Sequence, residues 1–368
     1  MNLIQVERDF LLAPLQAVSG VVERRHTLPI LSNVLFELGS GHLSLTATDL
    51  EIQVVARAES SAGGDAQSTT VSARKLQDIL RSLPEKAPIS LELLDKRLQL
   101  KAGRSKFSLQ TLPAQDFPKV AAGAEPGATA AVPQRDLKRL LALVQYAMAQ
   151  QDIRYYLNGL LLSLNEDGLT VVATDGHRLA LANLALALGV PKTEVILPRK
   201  AIVELAKLLG DTEDPVHIRV LENQVAFSFG SISFISKLVD GKFPDYHKVI
   251  PSGYAKRIIL DRETLQQALQ RAAILSNEKF RGVRWVLTSD SLRIICTNSD
   301  QEEAEEELEV AYSGEALDIG FNVSYLLDVL ANLQSKEVEC ALGDSNSSML
   351  MTIPGEAYFK YVVMPMRI

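Results

Sequence analysis

One short word recurs along the chain at long, nearly constant spacing. Ala47-Thr48-Asp49 returns as Ala173-Thr174-Asp175 and, altered, as Cys296-Thr297-Asn298, offset by 126 and then 123 residues. A period of that length is the size of a whole domain, far longer than a solenoid repeat. The 368 residues are therefore expected to hold three copies of one domain in tandem. Repetition on this scale points to the use of a shape more than to one catalytic pocket.

Other features keep the same register. Each copy opens with apolar residues spaced for one helix face: Leu11, Leu12, Leu15 and Val18, then Leu137, Leu140, Leu141 and Val144, then Leu265, Leu269 and Ala272. An apolar run follows at 30–38, 156–164 and 283–287. Strands are expected at 43–48, 169–174 and 292–297, each ending at the repeated word. A second helix starts after Ser72, near Pro198 and after Asn322; Ser72 and Asn322 suit N-caps and Pro198 suits a first turn. Hairpin-like stretches close the copies at 98–112, 225–238 and 349–364. No strict strand–helix–strand alternation appears, so the fold class is α+β, with two helices per copy on β-sheets. Residues 121–131, rich in Ala, Gly and Pro, read as a linker, and Pro251-Ser252-Gly253 marks the second junction. The domains are thus expected at 1–125, 126–253 and 254–368.

Composition narrows the class. No apolar run reaches membrane-spanning length, and Glu7, Arg8 and Asp9 come too early for a signal peptide. Cys296 and Cys340 sit in apolar, strand-like contexts and are expected as reduced core thiols, which fits a cytoplasmic location. The net charge of −7 falls entirely in the third copy, which carries 11 basic and 18 acidic side chains. Much of that sits in one run, where Glu302, Glu303, Glu305, Glu306, Glu307 and Glu309 fill six of eight positions. Such a run is either a solvated face or half of an electrostatic contact with another subunit. The first copy offers partners in Arg74, Lys75, Arg104 and Lys106, the last two expected on one strand face. A contact between unlike ends of a chain is head-to-tail, and it closes a ring or grows a filament.

Catalytic signatures are absent: no phosphate-binding glycine loop, no nucleophile elbow, and no metal-ligand spacing among the five histidines. No cofactor is expected. One local cluster looks chemical, Asp175-Gly176-His177-Arg178. It reads as an acid–base pair, as a hydrogen-bonded turn, or as a binding surface. The end of the sequence is the other oddity: Pro365 should stop strand pairing and leave Met366 and Ile368 as apolar groups at a free end.

Longer words carry a resemblance. They are Thr27-Leu28-Pro29-Ile30-Leu31, Asp152-Ile153-Arg154-Tyr155-Tyr156-Leu157-Asn158-Gly159 and Ala173-Thr174-Asp175-Gly176-His177-Arg178-Leu179. Further ones are Ser236-Lys237-Leu238-Val239-Asp240-Gly241, the stretch 273–283, Gly320-Phe321-Asn322-Val323-Ser324-Tyr325 and Met364-Pro365-Met366-Arg367. Over essentially its whole length the chain resembles the sliding-clamp family, the β subunits of bacterial DNA polymerase III. The resemblance implies a DNA clamp fold and a head-to-tail homodimer whose six domains form a ring around duplex DNA. It also implies a processivity role without catalysis. The implied partners are the replicative polymerase's catalytic subunit, an ATP-driven clamp loader, and other polymerases and repair proteins.

By motif match, a partner-peptide groove would use Leu157, Thr174, Gly176, His177, Arg178, Leu179, Pro244, Lys248, Val249, Asn322, Tyr325, Asn346, Ser348, Val362, Val363, Met364, Pro365, Met366 and Arg367. Lys248 stands where an arginine is common in the family, and Asn346 where an apolar residue is frequent. DNA-facing candidates are Arg25, His26, Gln150, Gln151, Arg154, Tyr155, Arg199 and Lys200. The dimer interface would pair Phe107 with Ile274 and Leu275, edged by the acidic run against Arg74, Lys75, Arg104 and Lys106. Two rival readings are an enzyme using Asp175 and His177 and a head-to-tail structural filament.

Overall fold

A computed structural model describes residues 2–23, 28–39, 41–59, 66–120 and 127–367. Arg25, His26 and Ile368 lie outside the described residues. Six α-helices occur among them: α1 (Arg8–Ser19), α2 (Ala73–Ser82), α3 (Gln134–Val144), α4 (Arg199–Leu208), α5 (Arg262–Ala273) and α6 (Val323–Asn332). The inner faces of α1, α3 and α5 are the residues whose spacing predicted them. Leu11, Leu12, Leu15 and Val18 of α1 are buried, as are Leu137, Leu140, Leu141 and Val144 of α3 and Leu265, Leu269 and Ala272 of α5. Each full burial of such a side chain is worth about 2 kcal/mol before entropy is charged. The Ser72 hydroxyl accepts from the Lys75 amide to start α2, and the Asn322 side chain accepts from the Ser324 and Tyr325 amides to start α6. Pro198 instead ends the strand Thr193–Pro198, one residue before α4, and pairs with Gly159.

The chain forms two compact units, one of residues 1–135 and 203–238, the other of residues 136–202 and 239–368. The first holds a twelve-stranded antiparallel sheet. Strand Ile232–Lys237 runs antiparallel to Ile52–Glu59, from Ile232 opposite Ala56 to Ser236 opposite Ile52, so the sheet joins strands of the first and second copies. The second unit holds an eight-stranded and a four-stranded sheet. Here Phe359–Val363 lies along Arg178–Ala185, with Val363 opposite Arg178, and joins the second and third copies.

Three local expectations need correction. The linker read at 121–131 overlaps a strand, Thr129–Pro133, paired with Pro215–Val220, with Ala130 and Val132 buried; alanine hides that alternation in the sequence. Arg104 is not on a strand with Lys106, because Gly103 at φ +55° turns the chain and the strand begins at Ser105. The segment after the last strand is not free. The Met364 amide donates to the His177 carbonyl (2.9 Å) and the Met366 amide to the Gly320 carbonyl (2.8 Å). Cys296 and Cys340 are free buried thiols, and burial pushes them up to about 11 and about 12.

Candidate functional site

The repeated word is a turn that satisfies itself. The Thr174 hydroxyl donates to the Arg178 carbonyl (2.6 Å) and accepts from the Gly176 amide (3.1 Å). Asp175 Oδ1 accepts from the His177 (2.8 Å) and Arg178 (3.0 Å) amides. Gly176 sits at φ +89°, where a side chain is disfavoured. This geometry weighs against an Asp–His catalytic pair. Asp175 is spent on the turn and on Arg178, whereas His177 is 72% exposed with Nδ1 4.0 Å from Asp175 Oδ1.

Arg178 ties this turn to the strand and helix beside it. Its side chain is 9% exposed. Nε donates to Asp175 Oδ2 (3.1 Å), Nη1 to Asp328 Oδ2 of α6 (2.6 Å) and Nη2 to the Tyr146 carbonyl (2.7 Å). The guanidinium also stacks 4.3 Å from the centre of the Tyr325 ring. Burial opposes its charge, but Tyr361, Asp328 and Asp175 outweigh burial and raise its pKa. Burial raises Tyr361 as well, and its hydroxyl donates to the Tyr325 carbonyl (2.9 Å).

Beside the turn opens a cavity of about 210 Å³. Of the sequence-derived groove residues, Leu157, Thr174, Gly176, His177, Arg178, Leu179, Pro244, Val249, Val362 and Met364 line it. Its floor continues into a packed apolar cluster that includes Leu161, Val172, Leu179, Leu181, Ile196, Phe243 and Val362. Lys248, Asn322, Tyr325, Asn346, Ser348, Val363, Pro365, Met366 and Arg367 do not line the cavity. Asn322 caps α6, Tyr325 lies under Arg178, and Val363 is core. Lys248 is exposed and pairs with Asp245 (3.3 Å). Asn346 is exposed, and its amide donates to Asp344 (2.9 Å).

Four wall residues escaped the groove reading: Arg154, Tyr156, Asp245 and Tyr246. Two of them, Tyr156 and Asp245, adjoin Leu157 and Pro244 in the sequence, and that adjacency was the available signal. Arg154, expected to face DNA, is instead one of the cavity walls. It pairs with Asp152 through Nε (3.0 Å) and Nη2 (2.8 Å), a hydrogen bond that pushes Asp152 down to about 2.

The remaining candidates sit elsewhere. Gln150, Gln151 and Tyr155 are exposed beside Ile153, which is 95% exposed. Arg199 points inward, donating through Nη1 to the Met148 carbonyl (3.0 Å), and Lys200 is half-buried. Ile274 is 78% exposed, while Phe107 and Leu275 are half-buried. Arg74, Lys75, Arg104 and Lys106 are exposed, and Arg74 lies 3.7 Å from Asp78. The acidic run forms the strand Glu303–Glu309 at one edge of the four-stranded sheet. Several of its members are paired within the chain. Glu306 accepts from Arg271 Nε (2.7 Å), Glu305 from Arg293 (3.1 Å), Glu307 from Ser291 (2.6 Å), and neighbouring Glu302 from Asn298 (2.6 Å). Glu303 is exposed. Among the described residues no His, Cys, Asp and Glu group suits a metal ion, and no helix is long and apolar enough to cross a membrane.

Comparison with known proteins covers the whole chain. Residues 1–121, 131–245 and 247–367 match the N-terminal, central and C-terminal domain models of the DNA polymerase III beta subunit. The beta sliding clamp of Pseudomonas putida is 50% identical over 365 residues, covering 99% of both chains. That of Escherichia coli K12 is 47% identical over 363 residues, again covering 99% of both. Among solved structures, a Pseudomonas aeruginosa sliding clamp bound to griselimycin superposes with a TM-score of 0.95, at 48% identity and 99% coverage of both chains.

Proposed function

The chain belongs to the DNA polymerase III beta subunit family, and on that premise we propose that it works as a head-to-tail homodimer closed around duplex DNA. Its function is that of a sliding clamp, a processivity factor that performs no chemistry itself. The domains are taken as 1–125, 126–253 and 254–368, six to a ring. Encirclement explains how a chain of net charge −7 keeps hold of a polyanion. Retention is topological, and loose phosphate contacts without sequence information permit sliding. Gln150, Gln151, Tyr155 and Lys200, with Arg25 and His26, are the groups we assign to that contact. Arg154 and Arg199 are better explained by their internal partners.

Two strand edges suit ring closure. Strand Ser105–Leu112 meets Gln67–Ser72 only at Thr70 and Val71, so among the described residues its second edge is open along 105–110. Glu303–Glu309 has a strand on one side only. Pairing these edges between two copies sets the basic flank at Arg104 and Lys106 against the acidic strand, with Phe107, Ile274 and Leu275 supplying apolar contact. A cytoplasmic location follows from the DNA partner.

The cavity beside residues 174–178 carries the recruitment role. An apolar cleft edged by a few polar groups suits a short peptide bearing Leu or Phe. Its users would be the polymerase, the clamp loader and repair proteins. A similar sliding clamp is bound to griselimycin, and we assign griselimycin to this cavity here. The test is titration of the dimer into a fluorescein-labelled peptide ending in Leu-Phe. Saturable binding displaced by griselimycin is expected; absence of binding contradicts the groove.

A further inference from the structure

Asp328 does not line the cavity, yet it holds a residue that does. From this geometry we infer that Asp328 is a positioning residue for the groove, acting through Arg178 to fix the wall against which a bound peptide rests. The inference rests on the groove assigned above.

The arrangement is specific. Arg178 is a wall residue whose guanidinium turns away from solvent into a ring of fixed acceptors. Asp175 and the Tyr146 carbonyl hold two of its nitrogens; both belong to the second copy. Asp328 holds the third from α6, in the third copy, at 2.6 Å. Asp328 and Tyr325 are three residues apart on α6, so one helix face supplies both the carboxylate and the ring beneath the guanidinium. The Asp328 side chain is 44% exposed, so the fold does not depend on burying it. Without it, Nη1 loses its charged acceptor. The guanidinium then has a reason to swing toward water and take the wall with it. The apolar floor, which includes Leu161, Val172 and Val362 but neither Arg178 nor Asp328, is expected to stay in place.

The measurement is the affinity of the full-length dimer for the labelled Leu-Phe peptide, in a double-mutant cycle of Asp328→Ala and Arg178→Ala. Asp328→Ala alone is expected to weaken binding about tenfold, the scale of one charge-assisted hydrogen bond. On the Arg178→Ala background the same change should cost nothing further, because its route is gone. Wild-type affinity in the single variant overturns the inference, as does an equal loss in both backgrounds. A variant that fails to assemble as a dimer places Asp328 in the fold and overturns it too. If the unaltered dimer does not bind the peptide, the groove assignment itself fails, which is a separate result.

Discussion

The turn at residues 48–52 and the turn at residues 174–178 close on the same hydrogen bonds. The Thr48 hydroxyl donates to the Ile52 carbonyl (2.7 Å) and accepts from the Leu50 amide (3.0 Å), as Thr174 does with Arg178 and Gly176. Asp49 Oδ1 accepts from two following amides (2.9 and 2.7 Å), as Asp175 does. Each turn then receives an amide from the end of a strand laid alongside it: Lys237 to the Glu51 carbonyl (2.8 Å), Met364 to the His177 carbonyl (2.9 Å). The scaffold is duplicated, but its side chains are not. Leu50, Glu51, Ile52 and Lys237 stand where the other turn has Gly176, His177, Arg178 and Met364. At the first, Lys237 and Glu51 form an ion pair (3.0 Å) across the join. At the second, exposed His177 and Met364 stand at the mouth of a cavity. The repeated Thr and Asp therefore report fold, and the four positions that differ are those that line the cavity at the second turn.

The largest expected effect comes from removing the strand end that only the second turn uses as a wall. Deleting residues 364–368 should weaken Leu-Phe peptide binding by about a hundredfold or more while sedimentation still shows a dimer. Unchanged affinity would break the comparison. Next is Gly176→Leu, which imports the first turn's residue. A Cβ there meets Arg154 Nη2 at 3.1 Å, and φ of +89° is strained for leucine. A strain of about 1–2 kcal/mol and a crowded wall should reduce peptide affinity about tenfold or more, read by the same titration.

Asp49→Ala and Asp175→Ala sharpen the comparison through stability. Each leaves two backbone amides without their acceptor, a loss of about 1–2 kcal/mol. Asp175→Ala also leaves Arg178 short of a partner, an added loss of about 1 kcal/mol read by denaturant unfolding. The smallest effect is Lys237→Ala. Its ion pair is exposed, and the loss should stay within about 0.5 kcal/mol and shrink further in salt, read by denaturant unfolding at two ionic strengths.

Much of this was legible in residue order. Helical spacing located α1, α3 and α5, because burial of one face is written every three or four residues. Asn322 announced the start of α6, because a cap is a local hydrogen bond. The joining of copies into common sheets was not legible. Pairing of Ile232–Lys237 with Ile52–Glu59 depends on partners far apart in the chain. Ten of the groove residues line the cavity, but the inward turn of Arg199 toward Met148 and the pairing of Arg154 with Asp152 are side-chain directions that spacing does not encode.

The most direct test of the account is retention on DNA of two topologies. The protein is loaded onto a nicked circular duplex with a clamp loader and ATP, and half of the sample is then linearised. Gel filtration should show the protein remaining on the circles and running off the linear molecules, with little dependence on sequence or moderate salt. Equal retention on both forms would mean that the protein grips DNA by contact, and the encircling ring would be wrong.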